Sequence, residues 1–315
     1  MTAPVLPPNA ETFARAASCL EAGGLVAVPT ETVYGLAADA ANEKAVARLY
    51  AAKGRPRFNP LIAHIPDRRA AEREGRFSPV ARQLADAFWP GPLTLVLPVA
   101  ETGTVCELAR AGLESVALRA PNHPVAASVL EAFGRPLVAP SANPSGKISP
   151  TEAAHVASDL GDVVDLILDG GPCQHGIEST IVSCLAEAPQ ILRPGTITQV
   201  EIEAVVGSLD KAAAGGIDKA RPIAPGQLSR HYAPDAHLRL DAEKPEPSEA
   251  YLGFGPGPAT ANLSEASDLV EAASRLFRLL RWLDERHDRI AVAPIPRTGL
   301  GLAINDRLAL AAKRD

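Results

Sequence analysis

Apolar residues recur at helical spacing behind Asn9, at Phe13, Ala16, Ala17 and Leu20. This predicts an amphipathic helix capped by the asparagine and stopped at Gly23. The next apolar run, 25–28, is too short for a helix and ends on Pro29, so it reads as a buried strand. A short helix follows with Val46, Leu49 and Tyr50 on one face; Gly54 and Pro56 stop it and leave Lys53 and Arg55 in a loop. Strand candidates then recur at 61–65, 93–97, 116–118, 137–139, 164–168, 180–183 and 191–192. Amphipathic helices separate several of them, as at 79–88 behind Ser78 and at 123–133, but the connection from 168 to 180 holds none. The mixture predicts an α/β fold whose sheet is not purely parallel.

The pattern changes near residue 208. The segment from Lys211 to Gly216, followed by Pro222, Pro225 and Gly226, has no apolar period and reads as a linker, and 241–260 is again rich in Pro and Gly. A long helical pattern (Leu269, Ala272, Ala273, Leu276, Leu279, Leu280, Leu283), a strand at 290–293 and a last helix then make a small second α/β unit. The chain thus divides into 1–207, a connecting segment 208–248, and 249–315. Residues 230–234, Arg-His-Tyr-Ala-Pro, are aromatic and basic inside that connection. A tether docked on the surface and a working segment both fit them.

At 315 residues, with 46% hydrophobic and 22% charged, the chain has the make-up of a globular protein with a large core. No apolar run approaches the roughly 18 residues of a membrane span, and the start lacks the basic and apolar regions of a signal peptide. The cytoplasm is the expected compartment. Cys19, Cys106, Cys173 and Cys184 are scattered without zinc spacing and read as reduced. A net charge of -6 argues against bulk binding of nucleic acid. Between Lys53 and Arg76, however, seven Lys or Arg face three acids, a local +4. Such a patch suits a small anion or serves as a solvated loop, with Arg68, Arg69, Arg73 and Arg76 facing solvent.

Two familiar phosphate motifs are missing. The stretch 141–148, Ser-Ala-Asn-Pro-Ser-Gly-Lys-Ile, lacks the upstream Gly and the hydroxyl after Lys of a Walker loop, and 253–258 puts prolines where a dinucleotide-binding helix would open. A nucleotide would need another cradle. Ser141, Asn143, Ser145 and Ser149 leave the strand at 137–139 and lead into a helix beginning near Thr151, which suits an anion, although Ser149 equally suits a helix cap. Thr30 to Gly35 and Gly176 to Thr180 are polar turns at strand ends, where α/β proteins place ligand groups. Arg119 and Arg193 close apolar strands and need an anionic partner from protein or ligand, while His64 within 61–65 also reads as a satisfied core histidine.

Together these segments resemble the Sua5/YrdC family of threonylcarbamoyl-AMP synthases. The resemblance rests on Pro29-Thr-Glu-Thr-Val-Tyr-Gly-Leu36, Lys53-Gly-Arg-Pro with Asn59-Pro-Leu-Ile, Trp89-Pro-Gly-Pro-Leu-Thr94, Leu118-Arg-Ala-Pro121, Pro140-Ser-Ala-Asn143 with Ser145-Gly146, Gly176-Ile-Glu-Ser-Thr-Ile-Val182 and Arg193-Pro-Gly195. Pro225-Gly226 through Pro234, and the ending Gly299 to Leu308, look like the longer Sua5 type. The family implies a YrdC-like twisted mixed sheet with flanking helices and an open cationic cleft, a connection folding back over it, and a small C-terminal Rossmann-like α/β domain. It implies synthesis of threonylcarbamoyl-adenylate from L-threonine, bicarbonate and ATP, with Mg2+ and with release of pyrophosphate. The product would pass to a separate tRNA threonylcarbamoyl-transferase complex for t6A modification of tRNA position 37, with weak or indirect tRNA contact and no membrane.

By the same resemblance Lys53 and Arg55 are catalytic, and with Asn59, Ser141, Asn143, Ser149 and Arg193 they hold the nucleotide under a lid of His231 and Tyr232. Thr32, His64, Arg119, Ser179 and Thr180 hold threonine. Arg57-Phe58 and a short C-terminal unit depart from the family pattern. An RNA-binding module of the same fold without catalysis is the competing reading, and the acidic total with 4% aromatic residues weighs against it.

Overall fold

The structure, a computed structural model, describes residues 2–210, 222–226 and 231–313. The proposed linker residues 211–216 and Arg230 lie outside the described residues. The larger sheet contains β1 (Val5–Leu6), β2 (Val26–Val28), β3 (Gly35–Asp39), β4 (Ile62–His64), β5 (Leu93–Pro98), β6 (Ser115–Arg119), β7 (Leu137–Val138), β8 (Leu166–Leu168), β9 (Thr180–Ser183) and β10 (Gln190–Arg193). Their order is β1-β8-β2-β3-β7-β4-β6-β5-β9-β10. Parallel pairs such as β4 with β6 alternate with antiparallel ones such as β5 with β6, so the sheet is mixed, as the sequence predicts.

Seven helices accompany this sheet among the described residues: α1 (Ala10–Glu21), α2 (Glu43–Lys53), α3 (Arg68–Glu74), α4 (Pro79–Phe88), α5 (Pro124–Phe133), α6 (Ala153–Leu160) and α7 (Gln199–Val206). Asn9 and Thr12 close a reciprocal capping box at the start of α1, both bonds 2.9 Å, which explains why that helix is legible from its first residue. Helices α1 and α5 cover one face through Leu20, Val129 and Phe133, while Leu49, Tyr50, Leu84 and Val156 fill the other. No helix among the described residues is long and apolar enough to cross a membrane.

Three local expectations change. Lys53 is the last residue of α2 rather than a loop residue, because Gly54 turns the chain in the left-handed region at φ 59 only after it. Helix α6 begins at Ala153, and its N-cap Glu152 makes no side-chain cap. Strand β3, Gly-Leu-Ala-Ala-Asp, has no counterpart in the pattern: its five residues are all buried, so it shows neither alternation nor β-branched side chains.

The second sheet has the order β11-β14-β12-β13, all parallel, from β11 (His237–Arg239), β12 (Ala250–Gly253), β13 (Ala261–Asn262) and β14 (Arg289–Val292). Helices α8 (Leu269–Asp284) and α9 (Leu300–Ala311) pack on it. Strand β11 lies inside 208–248, so part of that segment belongs to the second sheet. Three residues with one buried position carry too little apolar period to announce themselves. Val33, Ile148, Ile177 and Tyr232 share one apolar cluster with Leu276, Phe277 and Leu308, so the two units meet across a core.

Candidate functional site

Parallel pairing of β4 with β6 sets His64 opposite Arg119 at the ends of neighbouring strands. This pair forms the floor of a narrow cleft of about 50 Å³ that Thr32, Arg55, Ser141, Ser179, Arg193, His231 and Tyr232 also line. Pro225 and Gly226 also line it, so the connection reaches the cleft wall.

At one end Arg119 donates to Thr32 Oγ1 at 2.9 Å and to the Gly91 carbonyl at 3.3 Å. It also pairs with Glu31 at 2.5 Å, both side chains almost fully buried. Burial opposes the charge of Glu31, but Arg119 outweighs it and holds the carboxyl below its usual range. Burial first, and then the Arg119 charge, takes His64 from 6.5 to about 3, so its imidazole is neutral.

At the other end Arg193 donates to the Ser179 carbonyl at 2.9 and 3.2 Å and to Ser179 Oγ at 3.2 Å. Thr94 bonds the same hydroxyl at 2.8 Å. Gly195 lets this loop pass: a Cβ there would stand 2.4 Å from the Thr180 nitrogen. Arg55 donates to the carbonyls of Asn59 and Pro60 at 3.3 and 2.9 Å, and burial lowers it to about 10. Lys53 Nζ reaches the carbonyls of Ser141 and Asn143, tying α2 to the 141–149 loop. Burial, then the Arg55 charge, holds this ammonium well below its usual range.

The structure brings nine of the fourteen predicted residues onto the cleft wall: Thr32, Arg55, His64, Arg119, Ser141, Ser179, Arg193, His231 and Tyr232. Lys53, Asn59, Asn143 and Ser149 are buried off that wall. Both polar atoms of the Asn59 side chain and Asn143 Oδ1 have no protein partner, as expected of groups that await a polar ligand or water. Ser149 is no helix cap; its hydroxyl donates to Glu178 Oε1 at 2.5 Å. Thr180 Oγ1 is taken up by Ile197, donating to its carbonyl at 2.6 Å, and so turns away from the cleft.

Sequence reasoning missed the acids and a remote cation. Glu31 and Glu178 sit inside the quoted motifs, and the need of a buried arginine for an anion was the signal that pointed to them. Arg307 comes from α9 and has no exposed surface, yet its Nε lies 2.8 Å from Glu178 Oε2. It lies within the quoted ending Gly299 to Leu308, but nothing there points to the cleft. Among the described residues no three His, Cys, Asp or Glu converge to hold a metal ion.

Residues 18–195 match the Sua5, YciO and YrdC family model, described as telomere recombination, and residues 197–313 match the model of the threonylcarbamoyl-AMP synthase C-terminal domain. The threonylcarbamoyl-AMP synthase of Bacillus subtilis is 41% identical over 96% of this chain and 94% of its own length. The Pyrococcus abyssi protein of that name is 42% identical over 93% of this chain and 92% of its own. The crystal structure of Pyrococcus abyssi Sua5 complexed with L-threonine superposes with a TM-score of 0.88 at 37% identity, covering 99% of this chain and 98% of that one. Motifs, two-sheet architecture and full-length likeness coincide, and the chain belongs to the Sua5/YrdC family in its two-domain form.

Proposed function

We propose that the chain is an L-threonylcarbamoyladenylate synthase. The observation that carries this reading is electrostatic: Lys53, Arg55 and Arg193 are all less than a tenth exposed, yet among the described residues none has a carboxylate within 4 Å. Buried cations without protein anions are costly unless a ligand supplies the charge. A triphosphate does so.

In the reaction, the threonine nitrogen bonds to the bicarbonate carbon with loss of water, giving a carbamate. A carbamate oxygen then attacks the α-phosphorus, and the bond to the β-phosphate oxygen breaks to release pyrophosphate. Two anions must meet, and the fixed cations cancel their repulsion and stabilise charge developing on phosphate. Arg119, Thr32 and Ser179 suit the threonine carboxylate and hydroxyl, with neutral His64 beside them. Closure by Pro225, Gly226, His231 and Tyr232 keeps water from the carbamate and the adenylate. Glu31 and Glu178 are each engaged by an arginine, so a magnesium ion brought in with ATP would be held by phosphate oxygens and water and would neutralise phosphate charge there. Transfer of the product to a tRNA-modifying complex in the cytoplasm completes the reading, in keeping with four free cysteines.

The test is release of pyrophosphate from ATP that requires both threonine and bicarbonate. Lys53→Ala and Arg55→Ala are each expected to abolish it. Unchanged turnover in both variants would remove them from the phosphate site, and release indifferent to threonine would end the reading.

A further inference from the structure

We propose that Arg307, on the last helix of the C-terminal unit, is a positioning residue of this reaction: it fixes Glu178 and Tyr232 and so holds the cover of the cleft in its closed place. The inference rests on the synthase reading and assigns the C-terminal unit a part in it.

The geometry is that of a built network. Beyond its bond to Glu178, the Arg307 guanidinium meets Asp306 at 2.6 Å and lies 5.2 Å from the centroid of the Tyr232 ring. Its Nη2 is buried with no partner. Tyr232 is fully buried and stands at φ 62, a conformation that a bulky residue adopts only where its surroundings impose it. Those surroundings are the Arg307 cation on one side and Phe277 of α8 stacked at 5.3 Å. His231 packs edge-on against Tyr232 at 4.0 Å and lines the cleft. A guanidinium on the second unit is thus one contact from the cleft, through Tyr232 and through Glu178.

Glu178 is the other arm. It faces Arg307 from α9, whose other carboxylate partner is Asp306, and also Arg193 from the end of β10, Ser149, and the His231 and Tyr232 side chains. Burial opposes its charge, and Arg307, then Arg193, keeps it ionised below the usual carboxylate range. Without Arg307, Glu178 has lost its nearest counter-charge. Its carboxyl then takes up a proton at higher pH, and Arg193, freed from that influence, changes its hold on Ser179.

A structural prop alone would lower stability and leave the pH profile where it was. The experiment therefore uses the full chain with Arg307→Met, which keeps an apolar stem, and Arg307→Lys, which keeps the charge. Expected for Arg307→Met are faster hydrogen exchange at residues 231–236 without ligand and a fall in kcat of about 100-fold, typical of a misplaced active-site group. The acidic limb of its pH–rate profile moves to higher pH, and Arg307→Lys moves each readout part of the way back. Unchanged exchange at 231–236, or an unmoved acidic limb, overturns the proposal. If Arg307→Met fails to fold, Glu178→Gln with Arg307→Met removes the unpaired charge; near-normal turnover in that double variant also overturns it. Absence of threonine-dependent turnover in the unsubstituted chain defeats the synthase reading instead, and the exchange measurement, which needs no activity, still decides the role of Arg307.

Discussion

Lys53 rests between two carbonyl oxygens, Arg119 against a carboxylate, and His64 beside that pair with no charge of its own. These three side chains respond differently to substitution. Arg119→Ala strands the Glu31 carboxylate in the interior, and loss of one partner of a buried pair costs about 3–5 kcal/mol. We expect urea unfolding to report a loss of that order, with a raised KM for threonine in what remains folded. The histidines give a pH signature. His64 and His231 each drop from 6.5 unfolded to about 3 folded, chiefly through burial. The unfolded chain therefore binds more protons below about 6.5, so their contribution is present above that pH and lost as pH falls toward 3. Replacing both by Asn is expected to flatten the decline of Tm between pH 6.5 and 4.5. Single residues marked only Arg119 and Arg193 as needing an anion, from protein or ligand, and the nucleotide, threonine and lid roles came with the family resemblance, because a strand-end arginine or a polar turn is satisfied as readily by the protein itself. Asn59 and Ser149 were legible only as polar positions in a loop; that the one is buried without partners and the other spent on Glu178 depends on packing that no local pattern records.

Among the elements, the helices with caps were readable almost to the residue. Pro79 behind Ser78 fixes the start of α4, whose observed range coincides with the expected one. Strands of small residues, such as β3, and the short β11 escaped because nothing in them alternates. Two glycines show how turns set the site. A Cβ on Gly54 would meet nothing within 4 Å, so Gly54→Ala costs only its left-handed backbone, about 1–2 kcal/mol. Gly195→Ala instead drives a methyl against the backbone at Thr180 and cannot be relieved by a side-chain shift. We expect denaturant midpoints to fall modestly for Gly54→Ala and far more for Gly195→Ala, with pyrophosphate release surviving only in the former.

Over the whole molecule, the division into a catalytic sheet and a small parallel sheet was foreseen, but not the closeness of their union. Arg281 of α8 forks onto Asp159 of α6 at 2.5 and 3.1 Å and also reaches the carbonyl of Ile148. The segment after Tyr232 is fastened at both ends: Ala233 donates to the Gly146 carbonyl at 2.7 Å and Ala236 donates to Asp284 at 2.7 Å. Arg281→Ala is expected to loosen this junction so that calorimetry resolves two unfolding transitions where the unsubstituted chain shows one. A single transition at the original temperature would show that the shared apolar core alone joins the units.

Four residues separate Tyr232 from the first strand of the small sheet, and that strand is paired along its length. A flap so short has no slack. On the proposed reading, for ATP to enter or the adenylate to depart the tyrosine must either tear free of Phe277 or take the small sheet with it, so the door swings with the wall to which it is hung.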